Sequence, residues 1–120
     1  MQRRLQQIES TSNGTVAVEV AGSTSQGREI YTARVGDGDE VVLIESQIHG
    51  NQPLGAMAEL DVLKTLGGSS PRAQEIRDAV TVVVVPQMNA DGAALDQRQS
   101  DWTWTDVLWK FADLAGAPTA

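Results

Sequence analysis

The 120 residues include no cysteine and a single histidine. Without cysteine there is no disulfide framework and no thiolate metal site, which excludes zinc fingers and ribbons. Any bound metal must be held by imidazole, carboxylate, amide or water. Long hydrophobic runs are missing too. The longest, Val80 to Pro86, is interrupted by Thr81 and falls far short of the ~20 residues a membrane span needs, so no membrane partner is expected. Met1-Gln2-Arg3-Arg4 carries the charge of a signal-peptide start, but Leu5 to Ser10 is mostly polar and no apolar segment follows. No export signal is visible; the location is left open, and is cytoplasmic if Met1 is the natural start. Basic residues are outnumbered 9 to 16, and a net charge of −7 disfavours nucleic acid as a partner.

The hydrophobic content of 41% fits one globular domain, and a chain of this size buries roughly two-thirds of its unfolded surface. Leu5 and Ile8 stand at helical spacing in a leading helix that the polar cluster Ser10 to Gly14 ends. Thr15 to Val20 alternates and is rich in β-branched residues, and after the break at Gly22 to Gly27 a second strand pattern runs from Glu29 to Val35, giving an antiparallel hairpin. Val41 to Ile44 is continuously apolar, as expected of a strand covered on both faces. Pro53 suits a helix start, with Leu54, Met57, Leu60 and Leu66 tracing its apolar face. Pro71 opens a short helix over 72–78, and Thr81 to Val85 is a second buried strand. Asn89-Ala90-Asp91-Gly92 reads as a turn. The remainder is polar, then carries Trp102, Trp104, Val107, Leu108, Trp109, Phe111 and Leu114, an amphipathic helix over about 104–114 with more tryptophan than a free surface helix wants. The class is α/β, a mixed and mostly buried sheet with flanking helices.

Ligands of open α/β sheets bind beyond the carboxyl ends of the strands. Two such ends carry polar clusters here, His49 to Gln52 and Asn89 to Gly92. An isolated histidine is by default a hydrogen-bonded structural residue. Its separation from Gln52 by two residues alters that reading, since both side chains can then face one ion from a single turn, and a neutral imidazole suits zinc.

In sequence order, Ser25-Gln26-Gly27-Arg28-Glu29-Ile30, Ile48-His49-Gly50-Asn51-Gln52 and Pro86-Gln87-Met88-Asn89-Ala90-Asp91-Gly92 resemble the Ser-x-x-Gly-Arg-x-Ile, His-Gly-Asn-Glu and Pro-x-x-Asn-Pro-Asp-Gly segments of zinc carboxypeptidases of the carboxypeptidase A type. A crossover helix between the second and third pieces is also similar. The resemblance implies the first half of that fold. It divides the single partial domain into a leading helix (1–12), a family-like core (15–92) and a Trp-rich tail (93–120). It makes His49 the first zinc ligand and sets Gln52 at the position of a glutamate ligand. Asn51 lies where other branches bind substrate. Arg28 is assigned to the fold around the hairpin, and Asn89, Asp91 and Gly92 to the loop beside the site.

The implied cofactor is zinc and the implied substrate a peptide, cut at its carboxyl-terminal bond. In that chemistry zinc lowers the pKa of a bound water towards ~7, a carboxylate takes the proton and an arginine fixes the chain end. The second zinc histidine, an Asp-x-Asn-Arg segment and the general base lie in a later part of the family's domain, so no catalytic residue is assigned here. The chain is expected to bind zinc weakly and to be incomplete, with weak or no activity. Whether Gln52 reflects an inactive variant is open at the level of sequence. Two other readings compete: a non-catalytic fragment or interaction module, and a metal-dependent deacylase of acyl-amino acids. The tail from Trp102 to Leu114 discriminates. Packed inside, it implies a self-sufficient fold; exposed, a missing carboxyl-terminal half or a partner covering the sheet edge.

Overall fold

The computed structural model describes residues 1–116, and the last four residues of the Trp-rich tail lie outside the described part. Helix α1 (Gln2–Thr11) forms on the expected pattern, with Leu5 and Ile8 its two buried residues. Strands β1 (Val16–Ser23) and β2 (Glu29–Val35) make the antiparallel hairpin, with Val16 opposite Val35 and Val18 opposite Ala33. Strand β3 (Glu40–Glu45), helix α2 (Leu54–Leu66), helix α3 (Pro71–Ala79) and strand β4 (Val80–Val85) follow as a crossover unit, and β3 lies parallel to β4. Ser70 caps α3 by accepting from the Ala73 N–H at 3.1 Å, with Pro71 in the first turn, where its missing N–H costs nothing. Two further helices close the chain, α4 (Ala90–Leu95) and α5 (Trp104–Leu114). The strand order is β1-β2-β4-β3, and β2 runs antiparallel to β4.

Period-two alternation decides which side chains meet. Val16, Ala33, Val35, Val82 and Val84 share one face of the sheet and pack on Leu5 and Ile8 of α1 and on Leu60, Leu63 and Leu66 of α2. The class is therefore the mixed α/β sheet with flanking helices that the patterns imply.

Three local expectations are corrected. β3 is not covered on both faces. It ends the sheet, and Val41 and Leu43 on the face away from the core are 59% and 56% exposed. Of its apolar run only Ile44 packs against the core among the described residues. The inward face of α2 is Ala56, Glu59, Leu60, Leu63 and Leu66, while Leu54 and Met57 are exposed. Spacings of three and four from Ala56 fit the 3.6-residue period, and the face drawn through Leu54 is rotated away from the core. Asn89 to Gly92 is not a free turn either, for Asn89 caps α4 and the other three residues begin it. Helix α5 matches its expected span, but none of its residues is buried. No helix in the described part is long and apolar enough to cross a membrane.

Candidate metal centre

Because β3 and β4 are parallel, the segments leaving them emerge at the same edge and continue to pair. Ser46 N–H donates to Val85 O (3.1 Å), Met88 N–H to Ser46 O (3.1 Å) and Asn89 N–H to Gln47 O (3.2 Å). Gln47 is buried and holds φ +53°, an uncommon conformation for a residue with a side chain. Its Nε2 donates to Gly50 O at 2.8 Å and so folds the chain back on itself. A Cβ on Gly50 would overlap the backbone of Gly92. Only glycine there lets this turn lie against the start of α4.

The turn presents His49, half-buried, and Gln52, exposed, with Nδ1 and Oε1 3.4 Å apart. That separation is long for a hydrogen bond. It is the spacing of two donors on one tetrahedral zinc, since bonds of about 2.0–2.2 Å at a tetrahedral angle put their ends about 3.4 Å apart. The separation of the pair is therefore compatible with two corners of such a polyhedron. Both donors are neutral, however, and among the described residues no group of three His, Cys, Asp or Glu side chains could hold a metal ion. The described residues do not by themselves constitute a zinc site. Asn51 is exposed and lines, with His49, Gln52 and Pro53, an open cavity of ≈580 Å³.

A second cavity of ≈740 Å³ opens on the other side of His49, walled by Ile48, Trp102, Trp104 and Val107 and lined also by Arg98. Arg98 was not among the residues expected at the site. Its signal was available, for it is the only basic residue between Arg77 and Lys110. Its carbonyl accepts from Gly50 N–H at 3.1 Å, which fastens the Arg98 loop to the His49 turn.

Arg28 and Asp91 come together at the opposite end of the same assembly. Arg28 Nη1 lies 2.9 Å from Asp91 Oδ1, and the Thr24 hydroxyl donates to the same oxygen at 2.6 Å. Burial pushes the Asp91 carboxyl up, but donors from Thr24, Arg28, the Gln26 backbone and Ser25 outweigh it and hold the group below its usual range. The three motifs singled out in the sequence are thus one connected structure. The hairpin turn holds Asp91, Asp91 belongs to α4, and α4 abuts the His49 turn.

Residues 1–111 match the model of the zinc carboxypeptidase family. The chain belongs to that family. Solved carboxypeptidase structures share its fold. A metallo-carboxypeptidase from Burkholderia cenocepacia superposes with a TM-score of 0.71 at 23% identity, over 80% of this chain and 27% of that one. A metallo-carboxypeptidase from Pseudomonas aeruginosa, solved in complex with (2-guanidinoethylmercapto)succinic acid, gives 0.69 at 18% identity over 97% of this chain and 37% of that one. Carboxypeptidase A from Helicoverpa armigera gives 0.66 at 19% identity over 83% and 27%. The chain therefore spans between 27% and 37% of the length of these carboxypeptidases.

Proposed function

We propose that this chain forms the amino-terminal portion of a zinc carboxypeptidase domain whose complete form hydrolyses carboxyl-terminal peptide bonds, and that alone it has little or no such activity. The observation that carries the reading is the His49–Gln52 pair, two donor atoms 3.4 Å apart on a braced turn at the carboxyl edge of parallel strands. Two neutral donors hold Zn²⁺ loosely, because tight sites combine more ligands with compensating negative charge. Arg98 suits the anionic end of a peptide, since guanidinium pairs with carboxylate through two parallel hydrogen bonds. Ile48, Trp104 and Val107 suit an apolar side chain next to it. Asn51 faces the neighbouring cavity and is assigned to substrate contact by resemblance.

A second reading, that the chain works as an interaction module, draws on α5. Trp104, Leu108, Phe111 and Leu114 recur at helical spacing, and each is more than half exposed. A stripe of that kind is what a further part of the domain, or a partner, would cover.

Zinc titration of the purified chain by calorimetry tests the main proposal. Binding weaker than about micromolar is expected, with Gln52→Glu tightening it by roughly tenfold or more as a full charge is restored beside the dication. Tight binding that persists after His49→Ala, or no response to Gln52→Glu, would remove the metal assignment. Release of carboxyl-terminal residues by the chain alone would overturn the claim of inactivity.

A further inference from the structure

The carboxamide of Asn89 has three partners. Its Oδ1 accepts from Gly92 N–H at 2.9 Å, while its Nδ2 donates to the carbonyls of Ile48 at 3.1 Å and Arg98 at 3.2 Å. One acceptor and two donors use a primary amide in both senses at once, which neither a carboxylate nor a hydroxyl can reproduce. The two accepting carbonyls are not incidental. Ile48 O belongs to the peptide immediately before His49, and Arg98 O also receives Gly50 N–H at 3.1 Å. Asn89 therefore grips the backbone on both sides of the larger cavity, at the residue before the imidazole and at the residue bearing the guanidinium.

We propose that Asn89 is a positioning residue, whose two amide protons set where His49 and Arg98 stand relative to each other, over and above its capping of α4. The proposal rests on the reading of His49 and Arg98 as site residues. Asn89 is itself well held. Asp91, two residues on, is anchored by Arg28, Thr24 and Ser25 of the hairpin turn, and a Cβ on Gly92 would strike the Asn89 side chain. A clamp so braced keeps the His49 turn in place without any bound ligand.

The cap and the clamp separate by substitution. Aspartate caps helices as well as asparagine, so Asn89→Asp keeps the acceptor for Gly92 N–H and removes both donors. Asn89→Ser keeps a capping acceptor without adding charge, and its shorter side chain has one O–H donor in place of the two amide protons. Amide hydrogen exchange on the whole chain reads both functions, and the lone histidine gives an unambiguous imidazole signal. Both variants should leave Gly92 protection within about twofold, while Gly50 exchange rises roughly tenfold with the loss of the clamp bonds. The His49 ring resonances should shift or broaden. Unchanged Gly50 and His49 signals would overturn the proposal. So would equal losses at Gly50 and Gly92, which describe a cap alone, and so would loss of core amide protection in both variants, which describes a global role. No metal enters the measurement, so a failed zinc titration and a failed positioning role remain distinct results.

Discussion

Glu59 sits on the inward face of α2 at 5% exposure, and its Oε2 has no hydrogen-bond partner. Burial is the main reason its carboxyl is pushed above the usual value. A hydrogen bond from Ser46 works the other way, and the charge of Glu45 adds to the rise. Ser46 has a single hydroxyl proton, which also serves the Pro86 carbonyl at 2.9 Å. A carboxyl whose folded pKa is raised costs stability once pH climbs above its unfolded value of 4.5. Glu59→Gln should therefore stabilise the chain at pH 7 by about 1 kcal/mol and have little effect below about pH 4. Urea melts of both proteins at the two pH values check this, and a variant less stable at pH 7 would show that the Ser46 hydrogen bond outweighs the cost of burial. At this scale the sequence was unevenly legible. His49 and Gln52 announce themselves by type and spacing, whereas Glu59 looks like any helix-surface carboxylate until its orientation is known. Arg98 stands alone among polar and acidic neighbours with no motif around it.

Among the elements, α2 offers the sharpest contrast between pattern and packing. Leu63 is 0% exposed and Leu54 83%, although both are leucines of one helix. Leu63→Ala should cost roughly 2–5 kcal/mol, the range for deleting a fully buried leucine side chain, and Leu54→Ala less than about 0.5 kcal/mol. Thermal or denaturant unfolding decides, and similar losses for the two would return the helix to the register first drawn from the sequence. The hairpin, α1, α3, β4 and α5 were legible because each carries its own periodicity and stop signals. β3 misled because an apolar run reports what a strand requires, and the cover it requires is not among the described residues. α4 is only six residues long, too short for a period to show. Its cap was legible as a turn signal, because the side-chain chemistry that favours asparagine in turns also favours it at helix starts.

The whole molecule is stretched. A compact chain of this length has a radius of gyration of about 14 Å. This one measures 17.6 Å, with extents of 63 × 29 × 20 Å. Trp102, Trp104 and Trp109 are 41%, 82% and 54% exposed, so tryptophan emission should be that of hydrated indole and open to a neutral quencher such as acrylamide. A blue-shifted emission that resists quenching and reddens on dilution would mean that copies of the chain cover one another's α5 helices. The family and the layer order could be read from the sequence at this scale, because they depend on motif order and strand pattern. The elongated shape could not, because it depends on what α5 packs against.

An open sheet edge invites a second strand, and the four apolar residues Val41 to Ile44 would make β3 a ready template for fibril growth. Glu40 and Glu45 bracket those residues and close both ends of the strand. Two copies meeting edge to edge in antiparallel register would set Glu40 of each against Glu45 of the other, like charges directly opposed at both ends of the ladder. The strand thus carries its own gatekeepers against self-templating, while an incoming apolar strand with basic ends would meet attraction at the same positions.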